Sequence, residues 1–169
     1  MHEAIILAGG LGTRLKEAVP DLPKSMAPIN GKPFLTHLLT HLSKKGFKRI
    51  ILSVGFMAEK ITNYFGNSFA GMDLDYVIES APLGTGGALR LSLNKCSQDH
   101  VFIFNGDTFL DFDIDSVEDY WLSSQCPIII GIEVGDTTRY GSLIFDGNKV
   151  IGFLEKGLSG PGIINAGCY

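Results

Sequence analysis

Cysteine is scarce and carries no pattern: the 169-residue chain holds three, Cys96, Cys126 and Cys168. An odd number of widely spaced thiols with no Cys-x-x-Cys argues against both a disulfide framework and a zinc knuckle, so scattered buried thiols are expected. Positive charge is not in excess either. Fourteen Lys and Arg face eighteen Asp and Glu, a net charge of -4, so the chain has no global positive field of the kind that duplex nucleic acid or an anionic membrane selects. Long apolar runs are also missing. The longest, Ile128 to Ile132, falls far short of the roughly 18–20 residues a membrane span needs, and the N-terminus lacks a basic-then-apolar leader pattern. A cytoplasmic, soluble protein that works on neither nucleic acid nor membrane is the expectation.

What is present is apolar residues, at 45% of positions, and 21 glycines gathered in a few clusters. That composition suits one compact domain over residues 1–169, and no linker-like stretch divides it. Ala4 to Ala8 is a short apolar run ending at Gly9-Gly10, the pattern of a buried parallel strand with a tight exit. Behind Pro33, apolar Phe34, Leu35, Leu38, Leu39 and Leu42 recur at helical spacing until Gly46. Strands are predicted at 49–54, 75–78 and 101–104, with helices at 59–65 and 88–93 between them. This βαβαβαβ alternation predicts a mostly parallel sheet in an α/β fold with helices on both faces, and ligands at the carboxyl ends of the strands. A helix over 114–123 and strands at 128–134, 142–145 and 150–155 complete the chain, the last two as a hairpin around Asp146-Gly147-Asn148.

The strongest local signal is Leu7-Ala8-Gly9-Gly10-Leu11-Gly12-Thr13-Arg14-Leu15, directly after the first strand, with Pro23-Lys24 downstream. Glycines at 9, 10 and 12 let backbone N–H groups converge on an anion without Cβ obstruction. Arg14 adds a planar, permanently charged fork. A Walker A loop ends in Gly-Lys-Ser/Thr, and this run has Thr-Arg-Leu. A dinucleotide fingerprint needs a third glycine where Leu15 stands.

Together with Pro23-Lys24-Ser25-Met26, this run resembles the signature of the sugar-1-phosphate nucleotidyltransferase family. Gly31-Lys32-Pro33-Phe34-Leu35, Pro82-Leu83-Gly84-Thr85-Gly86-Gly87-Ala88, Asn105-Gly106-Asp107, Gly152-Phe153-Leu154-Glu155-Lys156 and Asn165-Ala166-Gly167 resemble the family's later motifs in their usual order. Met26 to Ile29 and Leu83 to Gly87 are most similar to the branch that activates heptose or mannose 1-phosphate with GTP. The resemblance implies a Rossmann-like three-layer sandwich of the glycosyltransferase-A type. It also implies transfer of a nucleoside monophosphate from an NTP, GTP favoured, to a sugar 1-phosphate with release of pyrophosphate. A nucleotide-binding regulatory homologue without turnover, and cytidylyl transfer to a non-sugar phosphate such as phosphocholine, are the alternatives.

In such a transfer a sugar-phosphate oxygen attacks the α-phosphorus in line, so the enzyme positions two anions and neutralises charge, with no covalent nucleophile. Gly9, Gly10, Gly12, Thr13 and Arg14, with Leu7 and Ala8 leading in, are the candidates for the nucleotide phosphates. Lys24 is the candidate bridge between the α-phosphate and the sugar phosphate. Asp107, just past a buried strand, is the candidate Mg²⁺ ligand, because a carboxylate plus substrate phosphates is how that ion is ordinarily held. By resemblance, Glu79, Leu83, Gly84 and Thr85 contact base and ribose, while Tyr140, Gly141, Glu155, Lys156 and Asn165 surround the sugar. The family commonly has Pro after Glu-Lys, where this chain has Gly157.

Other features read as structural. Asp111, Asp113 and Asp115 alternate as in a calcium loop, but Ser116 and Leu122 stand where an EF-hand needs Gly and Glu, so they belong to a loop that caps the next helix. His37 and His41 share a helix face with Lys44 and read as a solvated basic face. Trp121, Phe102, Phe104 and Phe109 read as core. Finally, no acidic residue follows Glu155, whereas the family's second metal-binding aspartate comes later. The expectation is therefore a domain truncated at its C-terminus, exposing apolar surface around Ile163 and Ile164 that would favour a homo-oligomer.

Overall fold

The computed structural model describes residues 2–10, 21–154, 156 and 159–169. They fall into two compact units that divide after Phe109. The first unit contains β1 (His2–Leu7), a 3₁₀ turn (Lys24–Met26), β2 (Pro28–Ile29), β3 (Lys32–Pro33), α1 (Phe34–Lys44), β4 (Phe47–Val54), α2 (Ala58–Phe65), β5 (Ser68–Phe69), β6 (Met72–Ile78), α3 (Gly84–Leu93) and β7 (Phe102–Asn105). Its main sheet runs β5-β6-β4-β1-β7. β6, β4, β1 and β7 are mutually parallel, and only the short edge strand β5 is antiparallel. This is the expected α/β architecture with a mostly parallel sheet.

The central strands show why. Ala4, Ile5 and Ile6 of β1 and Ile50 to Val54 of β4 are all fully buried. A strand covered on both faces needs a continuous apolar run rather than alternation. Ile5, Ile51 and Val77 form one face, against which Leu89 of α3 and Cys96 pack. Helix α1 buries Leu35, Leu38, Leu39 and Leu42, the stripe its spacing dictates, and packs on β4. Phe102 and Phe104 are core as expected, edge-on to the buried ring of Phe47.

The amino-terminal side of the sheet carries a charge network that the sequence did not announce. Arg49 on β4 donates through Nη1 to Glu3 Oε1, and through Nε and Nη2 to Asp75 Oδ2 at 3.0 and 2.5 Å. Glu3 is 4% exposed. Its carboxylate also accepts from the backbone N–H groups of Ser97, at 2.9 Å, and Gln98, at 3.3 Å. Burial alone would lower the Arg49 pKa, but the bonds to Asp75 and Glu3 outweigh it and hold it above the ordinary value. Satisfying every polar atom is what lets a carboxylate sit in such a place.

The second unit contains α4 (Ile114–Ser124), β8 (Gly131–Val134), β9 (Ser142–Asp146), β10 (Lys149–Leu154) and β11 (Gly162–Asn165). These strands form an antiparallel sheet in the order β10-β9-β11-β8. Asp113 caps α4 as expected, accepting from the Ser116 backbone N–H at 3.4 Å and its hydroxyl at 2.7 Å.

Several expectations need correction. Helix α3 begins at Gly84, not Ala88, because the glycines form its first turn despite their low propensity. Residues 128–130 lie outside β8, although Ile130 still exchanges backbone bonds with Cys168 and Ala166. Phe109 is 49% exposed rather than core, lying past the end of β7 against the ring of His41. His41 and His37 are half-buried, not a solvated face, and His37 Nε2 lies 2.9 Å from the Ile29 carbonyl. Cys126 is exposed, just beyond the C-cap of α4, while Cys96 is half-buried and Cys168 buried. Ile163 and Ile164 are half-buried because β11 is an inner strand. Within this sheet the most exposed large apolar residues are Ile151 and Phe153 of edge strand β10, at 65% and 63%.

Candidate active site

The first unit's sheet ends in an unusually close set of strand exits. Backbone pairing continues past the strands, with Ala8 N–H donating to Ser53 at 2.8 Å, Glu79 N–H to Val54 at 2.8 Å and Gly106 N–H to Leu7 at 2.9 Å. A Cβ on Gly9 would stand 2.8 Å from Glu79 Oε1, and one on Gly106 would stand 2.8 Å from the Leu7 carbonyl oxygen. At Gly106 the near atom is backbone, so only glycine admits that proximity, whereas at Gly9 it is the end of the Glu79 side chain. Gly55 completes the contact from β4, its missing Cβ facing the Gly9 carbonyl at 3.1 Å. The sequence offered a glycine at each of these places but no sign that they touch.

Above these exits lies a cleft of about 360 Å³. Leu7, Ala8, Gly9, Gly10, Lys24, Glu79, Gly84, Thr85 and Asp107 all line it, so most of the candidates for nucleotide, metal and catalysis are brought together. Ser25, Pro82 and Asn105, to which the sequence reading gave no role, also line it. Gly12, Thr13 and Arg14 lie outside the described residues.

Lys24 heads the 3₁₀ turn that follows Pro23, closed by Met26 N–H to the Pro23 carbonyl at 2.8 Å. Its ammonium donates to Asp107 Oδ2, a contact that joins residues 83 positions apart. Both side chains stay accessible, at 42% and 38% exposure. Asp107 occupies the turn after β7. An opposite-charge pair poised in an open cleft suits exchange of partners: the ammonium for an anion, the carboxylate for a cation.

Glu79, just past the end of β6, ties two walls of the cleft's lining together. One carboxylate oxygen accepts from Ser53 Oγ at 3.1 Å and the other from the Leu83 backbone N–H at 3.1 Å. This bond sets the loop that enters α3. Gly84 there has φ +69°, the left-handed region that favours glycine. Leu83 itself does not line the cleft, and its side chain is exposed.

The candidate sugar residues belong to the second unit. Tyr140 and Gly141 follow a tight loop in which Asp136 Oδ1 accepts from Thr138 N–H at 3.0 Å and Oγ1 at 2.6 Å, bonds that lower the Asp136 pKa. Tyr140 is 47% exposed. Asn165 closes β11; its Nδ2 donates to Tyr169 OH at 2.7 Å and its Oδ1 accepts from Gly167 N–H at 2.9 Å. Lys156 is exposed, and Glu155 lies outside the described residues.

Comparison with known proteins places the chain in a family. The D-glycero-alpha-D-manno-heptose 1-phosphate guanylyltransferase of Aneurinibacillus thermoaerophilus is 42% identical over 168 residues, which is 99% of this chain and 73% of that protein. The mannose-1-phosphate guanylyltransferase of Mycobacterium tuberculosis is 36% identical over 99% of this chain and 48% of its own length. The crystal structure of HddC from Yersinia pseudotuberculosis complexed with GMP-PN superposes with a TM-score of 0.89 at 41% identity, covering 99% of this chain and 75% of that one. No helix among the described residues is long and apolar enough to cross a membrane. Residues 3–169 match the family described as nucleotidyl transferase, and the chain belongs to it.

Proposed function

We propose that this chain transfers guanosine monophosphate from GTP to a heptose or hexose 1-phosphate, releasing pyrophosphate. The observation that carries the reading is the meeting of Lys24 and Asp107 in a cleft floored by Leu7 to Gly10, at the carboxyl ends of parallel strands. The guanylyltransferase names of its relatives and the nucleotide analogue held by HddC support guanine as the base and a heptose or mannose 1-phosphate as the acceptor.

In this reading a phosphate oxygen of the sugar 1-phosphate forms a bond to the α-phosphorus, the bond from that phosphorus to the β-bridging oxygen breaks, and pyrophosphate leaves with the electron pair. Backbone N–H groups from Gly9 and Gly10, continued by Gly12, Thr13 and Arg14, hold the β- and γ-phosphates. Lys24 releases Asp107 and sets its ammonium between the α-phosphate and the incoming sugar phosphate, where a compact charge can follow a moving oxygen. Glu79 and the Leu83 to Thr85 loop form the base and ribose side. On the family resemblance, Tyr140, Gly141, Glu155, Lys156 and Asn165 are the candidates for contact with the sugar.

Asp107 fits a hard divalent cation: its Oδ2 already receives a positive group in the Lys24 ammonium, and Mg²⁺ takes one or two carboxylates plus substrate phosphates. Bound there, Mg²⁺ supplies neutralising charge to the transferring phosphate. The test is pyrophosphate release across a panel of NTPs and sugar 1-phosphates. GTP with a heptose or mannose 1-phosphate is expected to give the highest kcat/KM. A tenfold preference for CTP, UTP or dTTP would overturn the base assignment, and no turnover with any pair would overturn the reading.

A further inference from the structure

Ser25 is the second residue of the 3₁₀ turn that carries Lys24, and it lines the cleft. It is 3% exposed, and its hydroxyl oxygen is covered, with no hydrogen-bond partner among the described residues. A buried hydroxyl left unpaired is costly, and most such groups in native proteins have partners. The turn's own bonds do not use it, being closed by the backbone N–H groups of Met26 and Ala27. Serine at χ1 has three staggered positions about 120° apart, so one rotation redirects the hydroxyl without moving the backbone. Lys24, its neighbour in the same turn, lines the same cleft, as do Gly9 and Gly10.

We propose that Ser25 is a ligand-binding residue whose hydroxyl turns into the cleft and donates to a phosphate oxygen beside Lys24. The inference rests on the transfer function proposed above. Ser25 then stores an unmet hydrogen bond in the free protein and meets it only when an oxyanion arrives. The binding energy thereby gained is greatest for an anion, because a hydrogen bond to a charged acceptor is about twice as strong as one to a neutral acceptor. A donor so close to Lys24 serves the α-phosphate or the sugar phosphate, which share this chemistry.

The experiment compares the wild-type protein with Ser25→Ala, which removes the hydroxyl, and Ser25→Cys, which keeps the volume but donates weakly. Calorimetric affinities are measured for Mg²⁺-GTP, for metal-free inorganic pyrophosphate and for mannose 1-phosphate, alongside the melting temperature without ligand. Both variants are expected to melt no lower than wild type when free, and to bind at least one of the three anions roughly tenfold more weakly, as loss of a bond to a charged group implies. Loss confined to GTP or pyrophosphate assigns the hydroxyl to the nucleotide, and loss confined to mannose 1-phosphate assigns it to the acceptor. A lower melting temperature for free Ser25→Ala would show that the hydroxyl already has a structural partner and would overturn the proposal. So would unchanged affinity for all three anions in a wild-type background that binds them, which leaves the transfer function standing. Failure of the wild-type protein to bind any of them removes the transfer function and the Ser25 proposal together.

Discussion

At the amino-terminal side of the sheet, Arg49 joins Glu3 and Asp75 in a network where Glu3 is 4% exposed and its carboxylate accepts from a guanidinium and two backbone N–H groups. At the carboxyl ends of the same strands, Lys24 and Asp107 also pair, but both remain more than a third exposed and face an open cleft. The chemistry of the two pairs is alike and their circumstances are opposite. Although Arg49 and Asp75 are 27% and 40% exposed, Glu3 is buried and bonded at both oxygens, and it cannot exchange partners without leaving a bare charge inside the protein. An exposed pair loses little when it opens, because water and ligands replace what is lost. Charge at one end of this sheet is locked into the fold around Glu3, and charge at the other end lies accessible in the cleft where transfer is proposed.

Removing divalent cations should separate the two ends most sharply. Excess EDTA is expected to abolish transfer while the thermal unfolding curve stays in place, with Mg²⁺ restoring activity better than Zn²⁺ because the ligands are hard oxygens. Full turnover in EDTA would remove the metal role of Asp107.

Breaking the buried network should do the reverse. Arg49→Ala leaves the buried Glu3 carboxylate without its countercharge, held only by its bonds from Ser97 and Gln98, and is expected to cost about 3–5 kcal/mol of stability. For a chain of this size that lowers the melting temperature by roughly 10 °C. Protein that remains folded should keep its KM for GTP, a result that steady-state kinetics at low temperature would check.

Gly106→Ala tests the region where fold and site meet. The added methyl would stand 2.8 Å from the Leu7 carbonyl oxygen and 3.0 Å from Ala8 Cα. Overpacking against backbone is expected to cost about 1–3 kcal/mol and to raise KM by displacing the strand exits that floor the cleft. Chemical denaturation and KM for GTP measured on one preparation would reveal both effects; loss of neither would mean that the exits have room to spare.

The smallest effect concerns the thiol beside the buried network. Burial, with the Glu3 charge adding to it, pushes the Cys96 pKa up to about 11, and burial pushes Cys168 up to about 12. A folded-state pKa above the unfolded one, near 8.5 for cysteine, contributes stability below about pH 8.5 that is lost as pH rises towards 11. The urea midpoint should fall over that window, and Cys96→Ala should flatten the fall relative to wild type. Cys126, being exposed, should react first with an alkylating reagent.

Much of the fold was legible because buried parallel strands demand unbroken apolar runs, as at Ala4 to Ile6 and Ile50 to Leu52, and because α1 shows its stripe plainly. The small hairpin of β2 and β3 was missed, although Asn30-Gly31 between them, both at positive φ, is the expected two-residue turn. The start of α3 was misjudged because propensity argues against helical glycine, and packing on β1 and β4 overrides it. Within the site, motif order placed Lys24 and Asp107 in the same crevice, yet their direct contact spans 83 positions and no local pattern reports it. Glu3, Arg49 and Asp75 escaped notice for the same reason: partners across parallel strands are remote in sequence. Phe109 and Cys126 were misplaced because residue type predicts burial only on average.

The most direct test of the carboxyl-end cleft as the transfer site is Lys24→Ala, assayed for turnover and melting temperature on one preparation. Turnover is expected to fall on the order of 10²–10³-fold, as for loss of one preorganised charge contact, while the melting temperature moves by no more than about 2–4 °C because an exposed pair is worth about 0–1 kcal/mol. Unchanged turnover would contradict the assignment, whatever the melting temperature did.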